Sequence, residues 1–161
     1  MNKQDRVIVI GCSGAGGMAA MMIKKRNPDM NVTVFREEDE KGLLTRCATP
    51  YICCGDVLVD PSYKDDRIFT DVGIHLVNNQ IVSIDRVNQT VTDAGSKEYS
   101  YDKLLLAMGA QPVVPPIEGT GLDGVFTLRK SGDAFRILNR INMQRIKRCV
   151  LIGAGAIGIE I

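Results

Sequence analysis

Residues 6–35 read RVIVIGCSGAGGMAAMMIKKRNPDMNVTVF. RVIVIG is a continuous apolar, β-branched run closed by Gly11, the pattern of a strand buried on both faces of a parallel sheet. The next segment predicts a helix: small residues, then Met and Ile, then Lys24, Lys25 and Arg26, where cations complement the C-terminal end of the helix dipole, with Pro28 as a stop. NVTVF returns as a second strand, completing a β-α-β unit of about thirty residues. Right-handed crossover lays its strands parallel.

From Gly73 the pattern changes. IHLVNNQIVSIDRVNQTVTDAGSKEYSYD alternates short β-prone runs with the turn formers VNQT and DAGSK, which predicts an antiparallel meander that includes His75 in one of its strands. KLLLAMGAQP, residues 103–112, is a further apolar strand stopped by Gly and Pro. SGDAFRILNRINMQRI, residues 131–146, predicts a helix with Ser131 as N-cap and Ala134, Ile137 or Leu138, and Ile141 on one face. RCVLIGAGAIGIEI, residues 148–161, predicts a strand, a second glycine turn and the start of a helix. The expected class is α/β: a parallel sheet with crossover helix plus an antiparallel meander, then the beginning of a second unit of the same kind.

The chain has 161 residues, enough for one domain with a real core, since single domains typically run to roughly 100–200 residues. Twenty basic and nineteen acidic side chains leave it nearly neutral, and the basic ones are scattered. No field favours nucleic acid or an anionic membrane, so a small molecule or another protein is the expected partner. No apolar run approaches the roughly 20 residues needed to span a bilayer. Five cysteines without a secretory leader do not resemble an extracellular disulfide framework, and the expected location is the cytoplasm.

The two glycine turns carry the nucleotide chemistry. GAGAIG, Gly153 to Gly158, is a full G-x-G-x-x-G directly after an apolar run. Its first Gly permits the tight turn, the second lets backbone approach a pyrophosphate, and the third lets helix pack on strand. GCSGAG is irregular: Gly11 and Gly16 keep the outer spacing while Ser13 stands where the second glycine belongs. A frame shifted to Gly14, Gly16 and Ala19 begins three residues past the strand, so the Gly11 frame is preferred. A turn serving only helix packing is the bland alternative. Such a site also needs an acidic residue at the end of the second strand to accept from ribose hydroxyls. VFREED offers Arg36, then Glu37 and Glu38; a carboxylate accepts from both hydroxyls and an arginine from neither, which favours Glu37.

LLTRCATPYICCG, residues 43–55, holds three of the five cysteines. Zinc is disfavoured because structural sites want four ligands at short paired spacings, and the single histidine, His75, lies elsewhere. A reactive thiol works as a thiolate, which an adjacent cation such as Arg46 or a nearby helix N-terminus favours. On the residues alone Cys47 is open to three readings: such a thiol, half of a disulfide, or a buried inert thiol. Cys12 in the first turn is small enough to lie near a pyrophosphate or simply to fit there, and Cys149, opening a buried strand, is expected in the core.

The order of these pieces resembles the flavin-dependent pyridine nucleotide-disulfide oxidoreductases, and more narrowly the single-cysteine branch of NADH oxidases, NADH peroxidases and coenzyme A-disulfide reductases. Cys47-Ala48-Thr49-Pro50-Tyr51 stands beside that branch's Cys-Gly-Leu-Pro-Tyr. Tyr101-Asp102 through Pro112 stands beside Tyr-Asp-x-Leu-x-x-Ala-Thr-Gly-Ala-x-Pro, and Gly124 to Arg129 also matches. Met108 departs from the family threonine. The two-cysteine branch uses C-x-x-x-x-C, whereas five residues separate Cys47 from Cys53.

The resemblance implies a Rossmann-like FAD-binding domain with FAD on Gly11, Ser13, Gly14, Ala15 and Gly16. Arg36 or Glu37 then meets the adenosine ribose, with Arg46, Ile81, Ala107, Met108 and Gly109 also at the cofactor. NAD(P)H falls to Gly153, Gly155 and Gly158. It implies Cys47 as the catalytic thiol at the flavin face, no metal, and a disulfide, peroxide or oxygen as acceptor. Basic residues near the coenzyme in some relatives correspond to Lys24–Arg26, for which a solvated helix end is the simpler reading. Family members are far longer, so the expected organisation is an N-terminal fragment: residues 1–130 as the first segment of the FAD domain, 131–148 as a connecting helix, and 149–161 as the first strand and turn of a truncated NAD(P)H domain. The whole protein is expected to be a homodimer, and the fragment to be inactive and prone to self-association. A non-catalytic module keeping only an ADP-like site is the second reading.

Overall fold

The computed structural model describes residues 5–37, 42–44, 46–58, 60 and 63–161. It divides into two compact units, one of residues 1–43 and 64–109, the other of 44–63 and 110–161.

The first unit contains the β-α-β of the sequence: β1 (Arg6–Ile10), α1 (Gly14–Arg26) and β2 (Asn31–Phe35). Two-residue strands, β3 (Leu43–Leu44) and β4 (Tyr63–Lys64), mark the places where the chain passes from one unit to the other. After the short α3 (Arg67–Thr70) come β5 (His75–Val77), β6 (Ile81–Asp85), β7 (Thr90–Asp93), β8 (Glu98–Ser100) and β9 (Lys103–Leu106). A parallel sheet forms in the order β5-β2-β1-β9, with Val7 opposite Val32 and Lys103, and Ile10 opposite Phe35 and Leu106.

Alternation along β1 sorts its side chains between two cores. Val7 and Val9 join Ala20 of α1, Val32, Val34, Phe69 and Ile74 on one face, while Ile8 and Ile10 join Phe35, Val91 and Tyr101 on the other. Each Val, Ile or Phe among them contributes about 1.5–3 kcal/mol on full burial. The antiparallel meander β6-β7-β8 covers the second face, and Tyr99 meets Phe35 edge to face at 4.9 Å between ring centroids. Arg6 clamps the entry ends of β1 and β9 through two guanidinium bonds and one backbone N–H to the Asp102 carboxylate.

One expectation is corrected here. His75 does not lie in the meander; β5 pairs in parallel with β2 and forms the edge of the main sheet. The run from 74 to 77 has the length and composition of either kind of strand, and the open edge of β2 supplies its partner.

In the second unit, α2 (Thr49–Cys54) packs on α4 (Ser131–Gln144) through Leu44, Ile52, Cys53 and Ala134, with Leu128 and Ile137 at the margin. The N-cap of α4 is Lys130, not Ser131. Asp133 supplies the capping carboxylate, accepting from the backbone N–H groups of Arg129 and Lys130 at 2.9 and 2.8 Å, which leaves the Ser131 hydroxyl to pair with Tyr63 at 2.7 Å. The run around Cys149 is corrected too. Among the described residues no strand pairs with 149–152, Val150 and Ile152 are 92% and 76% exposed, and Cys149 is exposed instead of core. An apolar run becomes a buried strand only where other strands flank it. The short α5 (Ala156–Glu160) follows the second glycine turn. Among the described residues no helix is long and apolar enough to cross a membrane.

Candidate nucleotide and thiol sites

The first turn connects the carboxyl end of β1 to α1. Gly11 has φ +105°, and a Cβ there would run into the carbonyl oxygen of Ala107; at Gly16 a Cβ would run into the carbonyl oxygen of Gly11. Both positions therefore exclude every residue but glycine, one by backbone conformation and close approach, the other by close approach. Gly14 differs: nothing lies within 4 Å of its Cβ position, and with Ala15 it is exposed. The steric signature thus falls on Gly11 and Gly16, the frame preferred from the sequence. Ser13 is the extended N-cap of α1, and its carbonyl accepts the first helical bond from Gly17 at 2.8 Å. The N–H groups of Gly14, Ala15 and Gly16 have no intrahelical acceptor, and the first turn carries no acidic side chain. That arrangement fits the pyrophosphate of a dinucleotide such as FAD.

Ala107 and the backbone of Met108 lie against this turn, and Gly109 follows them. Ala107 donates its N–H to the Ile10 carbonyl at 2.8 Å, and its backbone passes directly beside Gly11. Gly109 holds φ +72°. Met108, where the family pattern has threonine, is 57% exposed. Cys12 is buried among Val7, Val9 and Ala20, the fitting role of the two considered. Ile81 is half-buried beside the Phe35–Val91 cluster.

At the carboxyl end of β2, the Gly11 N–H donates to the Phe35 carbonyl at 2.9 Å. Arg36, the next residue, is only 2% exposed. Its guanidinium donates to both oxygens of Asp66 at 2.8 Å and, through Nε, to Asn78 Oδ1 at 3.0 Å. Glu37 is exposed, and Glu38 lies outside the described residues. Asp66 and Asn78 were not identifiable as site residues from the sequence, because they lie 30 and 42 positions from Arg36 and share no motif with it.

The second turn repeats the first. Gly153 has φ +111°, a Cβ at Gly158 would meet the Gly153 carbonyl oxygen, and Gly155 is the extended N-cap of α5 with nothing within 4 Å of its Cβ position. The smallest residues therefore occupy corresponding places in both turns.

Cys47 is exposed in a 3-10 turn, Arg46–Ala48, that leads into α2. Thr49 donates its hydroxyl to the Arg46 carbonyl at 2.7 Å, bracing that turn from below. Cys53 is buried in the core, and burial pushes its thiol up, with Cys54 and Cys149 adding to the effect. Tyr51 donates to Glu160 Oε1 at 3.2 Å, and this bond holds the phenol above its ordinary range. Among the described residues no group of three His, Cys, Asp or Glu side chains is placed to hold a metal ion.

Residues 5–161 match the family described as pyridine nucleotide-disulphide oxidoreductase. An NADH oxidase of Methanocaldococcus jannaschii is 37% identical, over 96% of this chain and 36% of its own length. A coenzyme A disulfide reductase of Staphylococcus haemolyticus is 30% identical, over 97% of this chain and 37% of its own length. The solved structure of a NAD-dependent persulfide reductase from A. fulgidus superposes with a TM-score of 0.84 at 35% identity, covering 96% of this chain and 31% of that one. The chain thus spans a little over a third of the length of these two curated relatives.

Proposed function

We propose, from the premise that this chain belongs to the pyridine nucleotide-disulphide oxidoreductase family, that it forms the first part of a flavoprotein moving electrons from NAD(P)H through FAD and Cys47 to a disulfide, peroxide or oxygen. The observation that carries this reading is the first glycine turn, sterically restricted to glycine at Gly11 and Gly16, backed by Ala107 and open at Gly14. Gly14, Ala15 and Gly16 would hold the pyrophosphate of FAD by backbone N–H groups, and Glu37 would accept from the adenosine ribose. Ala107 and Gly109 keep side-chain bulk away from the cofactor's path, and Ile81, half-buried beside the Phe35–Val91 cluster, is a further contact of the same unit. Bound flavin supplies the hydride and electron chemistry. Cys47 is the thiol that exchanges with the acceptor; its exposure gives a small molecule access. Gly153, Gly155 and Gly158 take the NAD(P)H pyrophosphate.

Residues 1–161 alone are proposed not to turn over, because Val150–Ile152 lie exposed without strand partners among the described residues and hydride transfer tolerates little misplacement: about 1 Å can cost on the order of a hundredfold. The test is anaerobic reduction of added FAD by NADH, comparing this chain with a protein of the relatives' length and with its Cys47→Ser variant. Comparable flavin bleaching by short and long chains overturns the inactivity proposal. Unimpaired acceptor turnover in Cys47→Ser overturns the thiol's role. The exposed 149–152 run also favours a second reading, a module that binds only the adenosine end; a colourless chain that still binds ADP supports it, and a yellow one with flavin bands opposes it.

A further inference from the structure

We infer that Arg36 and Asp66 form a positioning clamp that aims the Glu37 carboxylate at the ribose of a bound adenine nucleotide, an inference that rests on the ribose role of Glu37 proposed above. A buried guanidinium is tolerated only when its charge is paired and its donors are satisfied. Arg36 meets this with a two-point fork to Asp66 and a third bond to Asn78. Its backbone N–H donates to the Val77 carbonyl at 2.9 Å, and the carbonyl of the preceding residue, Phe35, accepts from Gly11 at 2.9 Å. Arg36 is therefore secured through backbone and side chain together, between the glycine turn and the end of β5. The following residue, Glu37, is exposed, so the direction in which the chain leaves β2 is set by Arg36.

Asp66 is the solvent-side member of the clamp, 31% exposed at the start of α3. Neutralising it weakens the two-point fork that holds the guanidinium, which loosens Arg36 and with it the Glu37 that follows. Arg36, pinned in this way, is not a cation offered to a phosphate. It acts on the ligand through Glu37.

The experiment compares ADP with 2′,3′-dideoxy-ADP on the flavin-free full-length protein by calorimetry. Hydrogen bonds from ribose hydroxyls to a carboxylate should make ADP bind roughly tenfold tighter than the dideoxy nucleotide. Asp66→Asn should bring that ratio close to one while dideoxy-ADP affinity stays as in the parent, and Asp66→Glu should restore part of it. If Asp66→Asn weakens both nucleotides by one factor, or leaves the ratio unchanged, the clamp is overturned. Should that variant not fold, Arg36→Lys, which keeps charge but loses the fork, is read in the same way, with a reduced ratio expected. Glu37→Ala separates the two ideas. A ratio that survives Glu37→Ala removes the ribose role, and the clamp with it. A ratio lost in Glu37→Ala but kept in Asp66→Asn leaves the ribose role standing and removes only the clamp.

Discussion

Gly16 has no room for a side chain because its Cβ direction ends on the carbonyl oxygen of Gly11, and Gly158 stands in the same relation to Gly153. The consequence is measurable. Gly16→Ala and Gly11→Ala should each destabilise the chain by about 1–3 kcal/mol, since backbone must move or adopt a strained conformation. Gly14→Ala, with nothing in its way and a helical position, should be neutral or stabilising by up to about 1 kcal/mol. Thermal melts of the three variants decide it, and equal midpoints for Gly14→Ala and Gly16→Ala would show that the packing is not as described.

Thiol reactivity should follow exposure and local setting. Cys47, preceded by Arg46 and opening towards α2, is expected to label fastest in the full-length protein, ahead of the exposed Cys54 and Cys149. Cys12 and Cys53 are buried, and burial raises the Cys53 thiol, so both should label last. Per-residue mass spectrometry over a pH series gives the ranking. Faster modification of Cys53 or Cys54 than of Cys47 contradicts the assignment.

Asp93 ties the β7–β8 hairpin together. The backbone N–H of Lys97 most of all, then the Tyr99 hydroxyl, Gly95 and Asn79, hold its carboxyl below the ordinary aspartate range, against burial that pushes it up. A carboxylate with a depressed folded value contributes stability that is present above the unfolded value, about 3.9, and is lost as pH falls through the folded value. Asp93→Asn should therefore cost stability at pH 7, with the difference from the parent shrinking below about pH 4. Denaturant titrations across that range test it; a difference independent of pH would mean the charge is not what matters.

Met108→Thr should change little. The side chain is more than half exposed, and the path beside Gly11 belongs to the backbone. Stability within about 0.5 kcal/mol of the parent is expected, together with unaltered ADP affinity. A large loss of either would place the residue's side chain, not its backbone, in the site.

By itself the sequence determined the β-α-β unit, both glycine turns and the meander from residue 81 onward, because each is a local pattern. Apolar periodicity, glycine placement and turn residues act within a few positions of one another, and the burial of Val7 to Ile10 on two faces follows from a run without polar interruption. The preference for Gly11 over Gly14 was also legible, since the strand must end where the turn begins. Only the tertiary structure decided which partner each strand would take. His75–Val77 joined the parallel sheet because β2 had an open edge, and the apolar run at 149–152 stayed unpaired among the described residues because it had no neighbour. The same holds for charge. Nothing in VFREED indicates that Arg36 would be buried; that depended on Asp66 and Asn78 arriving from 30 and 42 residues away to satisfy a guanidinium that could not otherwise leave water.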